Sequence, residues 1–301
     1  VNEEVIVFGQ AARLVGVVTS PRDTAVDAGS CGVILLNAGR IHRVGPNRLH
    51  VKLARQLAAK GFTVLRFDFS GMGDSGARTD HLPIDQSRIV ETREAMDWLG
   101  ATRGFQRFIL AGLCSGATAA FQTALVDSRV AGAVIMNARG RPTGTRDSLR
   151  AYTRKFRRYY WKMLLSNPRS GMKAVRRGMS QDTLGQRWDG WKQRWRERGQ
   201  ARPQANPRRP HRIPLLIGRG VNLLFVYSQA DVGLDYFHVG LGDALDGLLS
   251  TGHLQIEVIP ETDHVFTLLP SQEHLLEVVG RWAERIGDAH AGDHADVLSA
   301  G

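Results

Sequence analysis

The sequence predicts an α/β fold, a mainly parallel sheet covered on both faces by helices. Three observations carry that expectation. Apolar strand-like runs alternate with helix-spaced segments from residue 32 to residue 136. A Gly-Leu-Cys-Ser-Gly turn at 112–116 joins one such run to a helix-forming segment. The alternation stops at residue 141 and resumes near 214, which fits one large domain of a 301-residue chain carrying an insertion.

Two short strands open the chain, Val5 to Phe8 and Arg13 to Thr19, and a third spans Gly32 to Leu36. Leu49, Leu53 and Leu57 recur at helical spacing and predict a helix over Asn47 to Lys60. A strand from Thr63 to Phe67 follows Gly61. The loop from Asp68 to Ser75 is glycine-rich but lacks Gly-Lys-Ser/Thr, so it reads as structural and not as a phosphate cradle. A helix over Gln86 to Leu99, a strand over Arg107 to Ala111, a helix over Ser115 to Val126 and a strand over Val130 to Met136 complete the first half. Residues 141–213 carry helical patterns, dense arginine and four of the six tryptophans, Trp161, Trp188, Trp191 and Trp195. Prolines 203, 207, 210 and 214 mark a linker back to the sheet. Strands Asn222 to Ser228 and Leu254 to Ile259 come next, then a last helix from Ser271 to Ile286. The expected organisation is a core of residues 1–140 and 214–287, a helical basic lid at 141–213, and a flexible, small-residue tail at 288–301.

The turn at 112–116 has the spacing of a nucleophile elbow with cysteine at its centre. Small residues two before and two after Cys114 let strand and helix approach closely. Centring the elbow on Ser115 would put Leu113 at a position too crowded for it, so Cys114 is the preferred nucleophile. A sulfur at a helix N-terminus is favoured as thiolate by the helix dipole. In such elbows the order is nucleophile, acid, histidine. Asp231 follows the strand Asn222 to Ser228 and is the expected acid, with Asp235 as its competitor. His264 follows the last strand and is the expected general base; Asp263 beside it reads as a loop residue. The backbone N–H of Ser115 and that of Arg40, in the loop Asn37-Ala-Gly-Arg40, are the expected oxyanion donors, with Gly39 permitting the turn.

The net charge of +11 resembles that of a nucleic-acid binder, but its distribution argues otherwise. Residues 141–213 hold 21 of the 40 Lys and Arg and only 4 of the 29 Asp and Glu, which leaves the rest of the chain net acidic. No nucleic-acid recognition signature accompanies this patch, so a non-catalytic basic binding protein ranks last. Two cysteines, Cys31 and Cys114, stand far apart without metal-ligand spacing, and neither a metal nor a cofactor is expected. Residues Val1 to Val5 lack the basic and apolar segments of a signal peptide, and no apolar run approaches the ~20 residues of a membrane span. A cytoplasmic, reducing setting fits a catalytic thiol.

On these residues the chain resembles the α/β-hydrolase superfamily over roughly residues 3–287, and within it the serine-aminopeptidase-like hydrolases, especially those associated with exosortase systems. The stretches that carry the resemblance are Ala38 to Arg48, Val64 to Ser75 and Gly112 to Ala117, with Arg157 to Leu165 a weaker fourth. The resemblance implies an eight-stranded, mainly parallel sheet and supports Cys114, Asp231 and His264 as the triad. The arginine content of 141–213 departs from a typical short lid. Cysteine at the elbow is also found in dienelactone hydrolases and in some carrier-protein-dependent thioesterases and cyclases.

Cysteine itself narrows the substrate. A tetrahedral intermediate built from an amide tends to expel the enzyme's thiolate, whereas a thioester donor offers a matched leaving group. The expected activity is acyl transfer on a carrier-protein- or coenzyme A-bound thioester, ending in hydrolysis, transfer or cyclisation in a biosynthetic pathway. The basic lid would steer the polyanionic carrier. The alternative is a dienelactone-type lactone or ester hydrolase.

Overall fold

The computed structural model describes residues 1–22, 31–138, 212–229, 231, 233 and 244–299, with backbone alone from 288. Its strands are β1 (Asn2–Phe8), β2 (Leu14–Ser20), β3 (Cys31–Leu36), β4 (Val64–Phe67), β5 (Arg107–Leu113), β6 (Val130–Met136), β7 (Asn222–Ser228) and β8 (Leu254–Ile259). They form one eight-stranded sheet in the order β1-β2-β4-β3-β5-β6-β7-β8. β2 runs antiparallel to both its neighbours, and every pairing from β4 to β8 is parallel.

Parallel strands covered on both faces need apolar residues at every position, because successive side chains point to opposite sides. β6 meets that demand with seven consecutive buried residues. Ile34, Leu36, Phe108, Leu110, Ala133 and Ile135 share one core with residues of α2 (Ile84–Arg103), α3 (Ser115–Val126) and α4 (Arg212–Ile217). The alternate residues Val33, Leu35, Ile109, Ala111, Val134 and Met136 share the other with residues of α1 (Leu49–Ala59) and the last helix, α6 (Leu269–Ser299). Leu49, Leu53 and Leu57 form the buried stripe of α1, each burial stabilising the chain by about 1.5–3 kcal/mol.

Element boundaries differ from expectation where local backbone chemistry intervenes. α1 starts at Leu49 and not Asn47, because Asn47 and Arg48 hold positive φ of 52° and 60° in a tight turn. α2 runs on to Arg103, where Gly104 in the left-handed conformation closes it. The linker expected to reach Pro214 ends sooner: α4 begins at Arg212, and its first turn accommodates a proline that has no N–H to offer. A short helix, α5 (Ala244–Leu249), was not expected. α6 continues past the expected Ile286 to Ser299 as helical backbone. Between Ile286 and Ser299 the sequence holds no proline and three alanines, against Gly287 and Gly292 at about 1 kcal/mol each, and a helix already nucleated extends without a new nucleation cost.

The chain divides into two compact units, residues 1–140 with 211–301, and residues 141–210. The second unit, which holds most of the segment expected as a basic lid, lies outside the described residues. Among the described residues no helix is long and apolar enough to cross a membrane.

The seam between α6 and the sheet rests on one missing side chain. A Cβ on Gly132 of β6 would lie 2.7 Å from the tip of the Trp282 indole, which is 3% exposed. Gly132→Ala is expected to cost about 1–3 kcal/mol in urea unfolding through overpacking. Adding Trp282→Phe is expected to return part of that loss; an unchanged midpoint for the single variant would mean the indole moves aside freely.

Candidate active site

β5 ends at Leu113 and α3 begins at Ser115, so Cys114 alone makes the turn, with φ 58° and ψ −110°. A non-glycine residue so placed carries about 1–3 kcal/mol of strain. Its neighbours explain why the turn is that sharp. A Cβ on Gly112 would lie 2.2 Å from the carbonyl carbon of Gly116, and a Cβ on Gly116 would lie 2.5 Å from the Leu36 carbonyl oxygen. α3 thus sits against the ends of β3 and β5 with no room for a side chain between. The Cys114 N–H donates to the Met136 carbonyl at 2.9 Å, and the residue is partly exposed.

His264, on the loop after β8, and Asp231, after β7, come together. His264 Nδ1 donates to Asp231 Oδ2 at 2.6 Å, while Asp231 Oδ1 accepts the Gly233 N–H at 2.7 Å. The competitor Asp235 lies outside the described residues. The hydrogen bond to Asp231 first, and Cys114 second, push the imidazole up to about 9 from its ordinary 6.5, against the opposing effect of burial. Its other nitrogen, Nε2, is buried without an acceptor in good alignment. Cys114 is nonetheless near enough to make the ring more basic, a looseness common in sites that tighten only around substrate.

Asn137, buried at the end of β6, fixes the histidine loop. Its amide Nδ2 donates to the His264 carbonyl at 2.8 Å and its Oδ1 accepts the Ser228 N–H at 2.7 Å. Asn37, buried at the end of β3, does the same on the other side. It donates to the Ile41 carbonyl at 2.8 Å and to Asp68 Oδ1 at 3.0 Å, and accepts the Phe69 N–H at 2.9 Å. The loop after β3 is tied down again where the Gly39 N–H donates to Ser115 Oγ at 2.8 Å. The Ser115 hydroxyl thus holds the loop in place. The two backbone groups expected as oxyanion donors, at Ser115 and Arg40, make no hydrogen bond among the described residues.

His42, Asp68 and Asp74 are the described residues whose ligand atoms cluster closely enough to suggest a cation. The cluster already contains one: the Arg43 guanidinium bonds both carboxylates, at 2.7 Å to Asp74 and with a shorter contact to Asp68. It therefore reads as a latch on the 38–43 loop, not a metal site.

Arg88, from the second turn of α2, brings a positive charge to the same region. Its guanidinium lies 5.7 Å from the centre of the Phe69 ring, and an ionised Cys114 would favour its charge. Burial pulls its pKa below the ordinary value, yet arginine remains protonated throughout the working range.

Residues 33–279 match the profile of the Alpha/beta hydrolase family. The chain belongs to that family. Among solved structures it is similar to a proline iminopeptidase from Mycobacterium smegmatis, at 18% identity and a TM-score of 0.56 over 96% of this chain and 99% of the other. It is also similar to an esterase from Thermogutta terrifontis, at 17% identity and 0.53 over 95% and 100%. A third similar structure is a dienelactone hydrolase from Anabaena variabilis, at 14% identity and 0.52 over 93% and 96%. At these identities the likeness is one of fold. A comparison with curated proteins finds no match.

Within this family fold, sequence reasoning missed Asn37, Asn137, Asp68 and Arg88. Both asparagines carry a readable signal: a polar residue directly after an apolar parallel strand, at the sheet edge where ligands bind. Arg88 carries none, because in sequence it is one cation on the polar face of a long helix.

The raised histidine pKa sets a pH window. Below about 6.5 the imidazolium is charged whether the chain is folded or not, and its stabilising contacts are complete; they fade as pH rises through about 9. Urea unfolding of the native chain is expected to lose stability across that window, and of His264→Gln to lose less. A proton-NMR titration of His264 is expected near 9, falling by about 1–3 units in Asp231→Asn. A native value near 6.5 would remove the carboxylate and the sulfur as influences on the ring.

Proposed function

We propose that this chain is an acyl-transfer enzyme acting on thioesters through a covalent Cys114 intermediate, with His264 as acid and base and Asp231 as its orienting partner. One observation carries the reading: a cysteine on a strained turn at a helix N-terminus, next to a histidine whose basicity is raised by an aspartate and by that cysteine. The Cys114 thiolate attacks the acyl carbon, forming the S–C bond and an oxyanion that the Ser115 and Arg40 N–H groups receive. The intermediate expels the donor's thiolate, which takes the proton from His264. A water, alcohol or amine then gives a proton back to His264 as it attacks the acyl-enzyme, and the Cys114 thiolate leaves.

The basic segment 141–213 supplies the second part of the proposal. Its charge is of the sign to recruit an acidic carrier protein or coenzyme A. The resemblance to serine-aminopeptidase-like hydrolases, including those of exosortase systems, fits a biosynthetic setting in a reducing compartment. A second reading, hydrolysis of free esters or lactones by the same residues, is favoured by the likeness to the esterase and to dienelactone hydrolase.

Intact-mass measurement after incubation with a panel of acyl thioesters tests the reading. The native protein is expected to gain one acyl group, and Cys114→Ala none. His264→Ala is expected to acylate about 100- to 10,000-fold more slowly. Full turnover by Cys114→Ala would end the proposal. Rapid turnover of free lactones with no salt dependence, beside inert carrier thioesters, would move it to the second reading.

A further inference from the structure

Arg88 differs from the other inward-facing arginines of the sheet domain. Arg13, Arg43, Arg66, Arg78 and Arg129 each hold a carboxylate. Among the described residues Arg88 holds none. Its one hydrogen bond from the guanidinium runs from Nη2 to the Gly39 carbonyl at 3.4 Å, near the limit of useful length; its Nε is buried with no acceptor, as are those of Arg43 and Arg66. Asp85 and Glu91 influence it only from a distance. Glu91 is already engaged by the Ser70 N–H at 2.8 Å, the Ser87 hydroxyl at 2.8 Å and Arg78 at 3.2 Å. A partly buried cation with open donors is costly unless something completes it.

The position of the open donors says what completes them. Gly39 accepts from Arg88 through its carbonyl and donates through its N–H to Ser115 Oγ at 2.8 Å, so one residue of the loop that carries Arg40 links the guanidinium to the residue next to Cys114. The Phe69 face beneath the guanidinium limits the tilt of its plane. A planar fork of N–H donors matches the two oxygens of a carboxylate, and a short acyl chain would keep that carboxylate close to the reacting carbonyl. Resting on the assignment of Cys114 as nucleophile, we propose that Arg88 forms an anion subsite selecting short dicarboxylic acyl groups, with the free carboxylate on the guanidinium and the activated carbonyl on the sulfur.

The test uses paired N-acetylcysteamine thioesters of equal chain length: succinyl against butyryl, glutaryl against valeryl, adipoyl against hexanoyl. The native chain is expected to favour the diacid in at least one pair. Arg88→Gln is expected to lower the diacid-to-monoacid ratio of kcat/KM by about 10- to 100-fold, the effect of losing a charged hydrogen-bond partner. Arg88→Lys, which keeps the charge without the fork, is expected to lie between and guards against misfolding of the glutamine variant. A native ratio near one in every pair would overturn the subsite. So would an unchanged ratio in Arg88→Gln, above all if the pH dependence of Cys114 alkylation by iodoacetamide shifted, since the guanidinium would then serve the sulfur. Acylation of Cys114 in intact mass separates the two levels: a subsite that fails leaves acylation intact but blind to charge, whereas no acylation by any thioester overturns the nucleophile assignment and the subsite with it.

Discussion

The close approach of α3 to the ends of β3 and β5 governs this site. With Gly112 and Gly116 in van der Waals contact with backbone, the chain must turn within one residue, and Cys114 absorbs the strain at φ 58°. That one constraint has three consequences. Cys114 stays partly exposed at the C-terminal end of β5. The first N–H groups of α3 are left without helical acceptors beside it. The Ser115 side chain reaches the Gly39 N–H and brings the 38–43 loop to the same point. Relieving the strain by enlarging either glycine would separate all three.

The parts of the molecule legible in sequence are those where one physical demand leaves few choices. Doubly buried strands must be apolar nearly throughout, so β3, β5, β6 and β7 could be read directly, and the edge strand β8 showed the apolar–polar alternation of a half-covered one. The elbow must have small residues at two fixed positions, so Cys114 stood out against Ser115. Chain order pointed to the loops after β7 and β8, and those loops hold Asp231 and His264. Helix ends were less legible because they depend on single backbone conformations, as at Asn47 and Arg48, or on the continued cost of leaving a helix, as beyond Ile286. The clamps were missed because Asn37 and Asn137 act through hydrogen bonds to residues distant in sequence. Arg88 was invisible because what distinguishes it is a carboxylate it does not have.

Asn37 and Asn137 solve the same problem on two sides of Cys114. Each lies at the C-terminal end of a parallel strand, where backbone groups leave the ladder and lose their partners. Each side-chain amide then offers a donor and an acceptor at once, binding the departing loop to its neighbour. A hydroxyl in either place could not bridge the same separation with both functions. The loops they hold carry Arg40 on one side and His264 on the other, so the two buried amides add to the Ser115 and Arg43 contacts that fix these loops.

The charges also form a sequence with a consequence for the chemistry. Asp231, His264, Cys114 and Arg88 alternate in sign if the sulfur is ionised. An imidazole pushed to about 9 is mostly protonated at neutral pH, and so poorly suited to removing a proton from an alcohol. It is well suited to a nucleophile that is already an anion, and to handing its proton to a departing thiolate. A serine at the elbow would need the opposite: a neutral ring, with a pKa nearer or below the working pH. The Asp231–His264 pair and a cysteine at the elbow therefore favour one another, and the proposed thioester donor, with its thiolate leaving group, would suit the same pair.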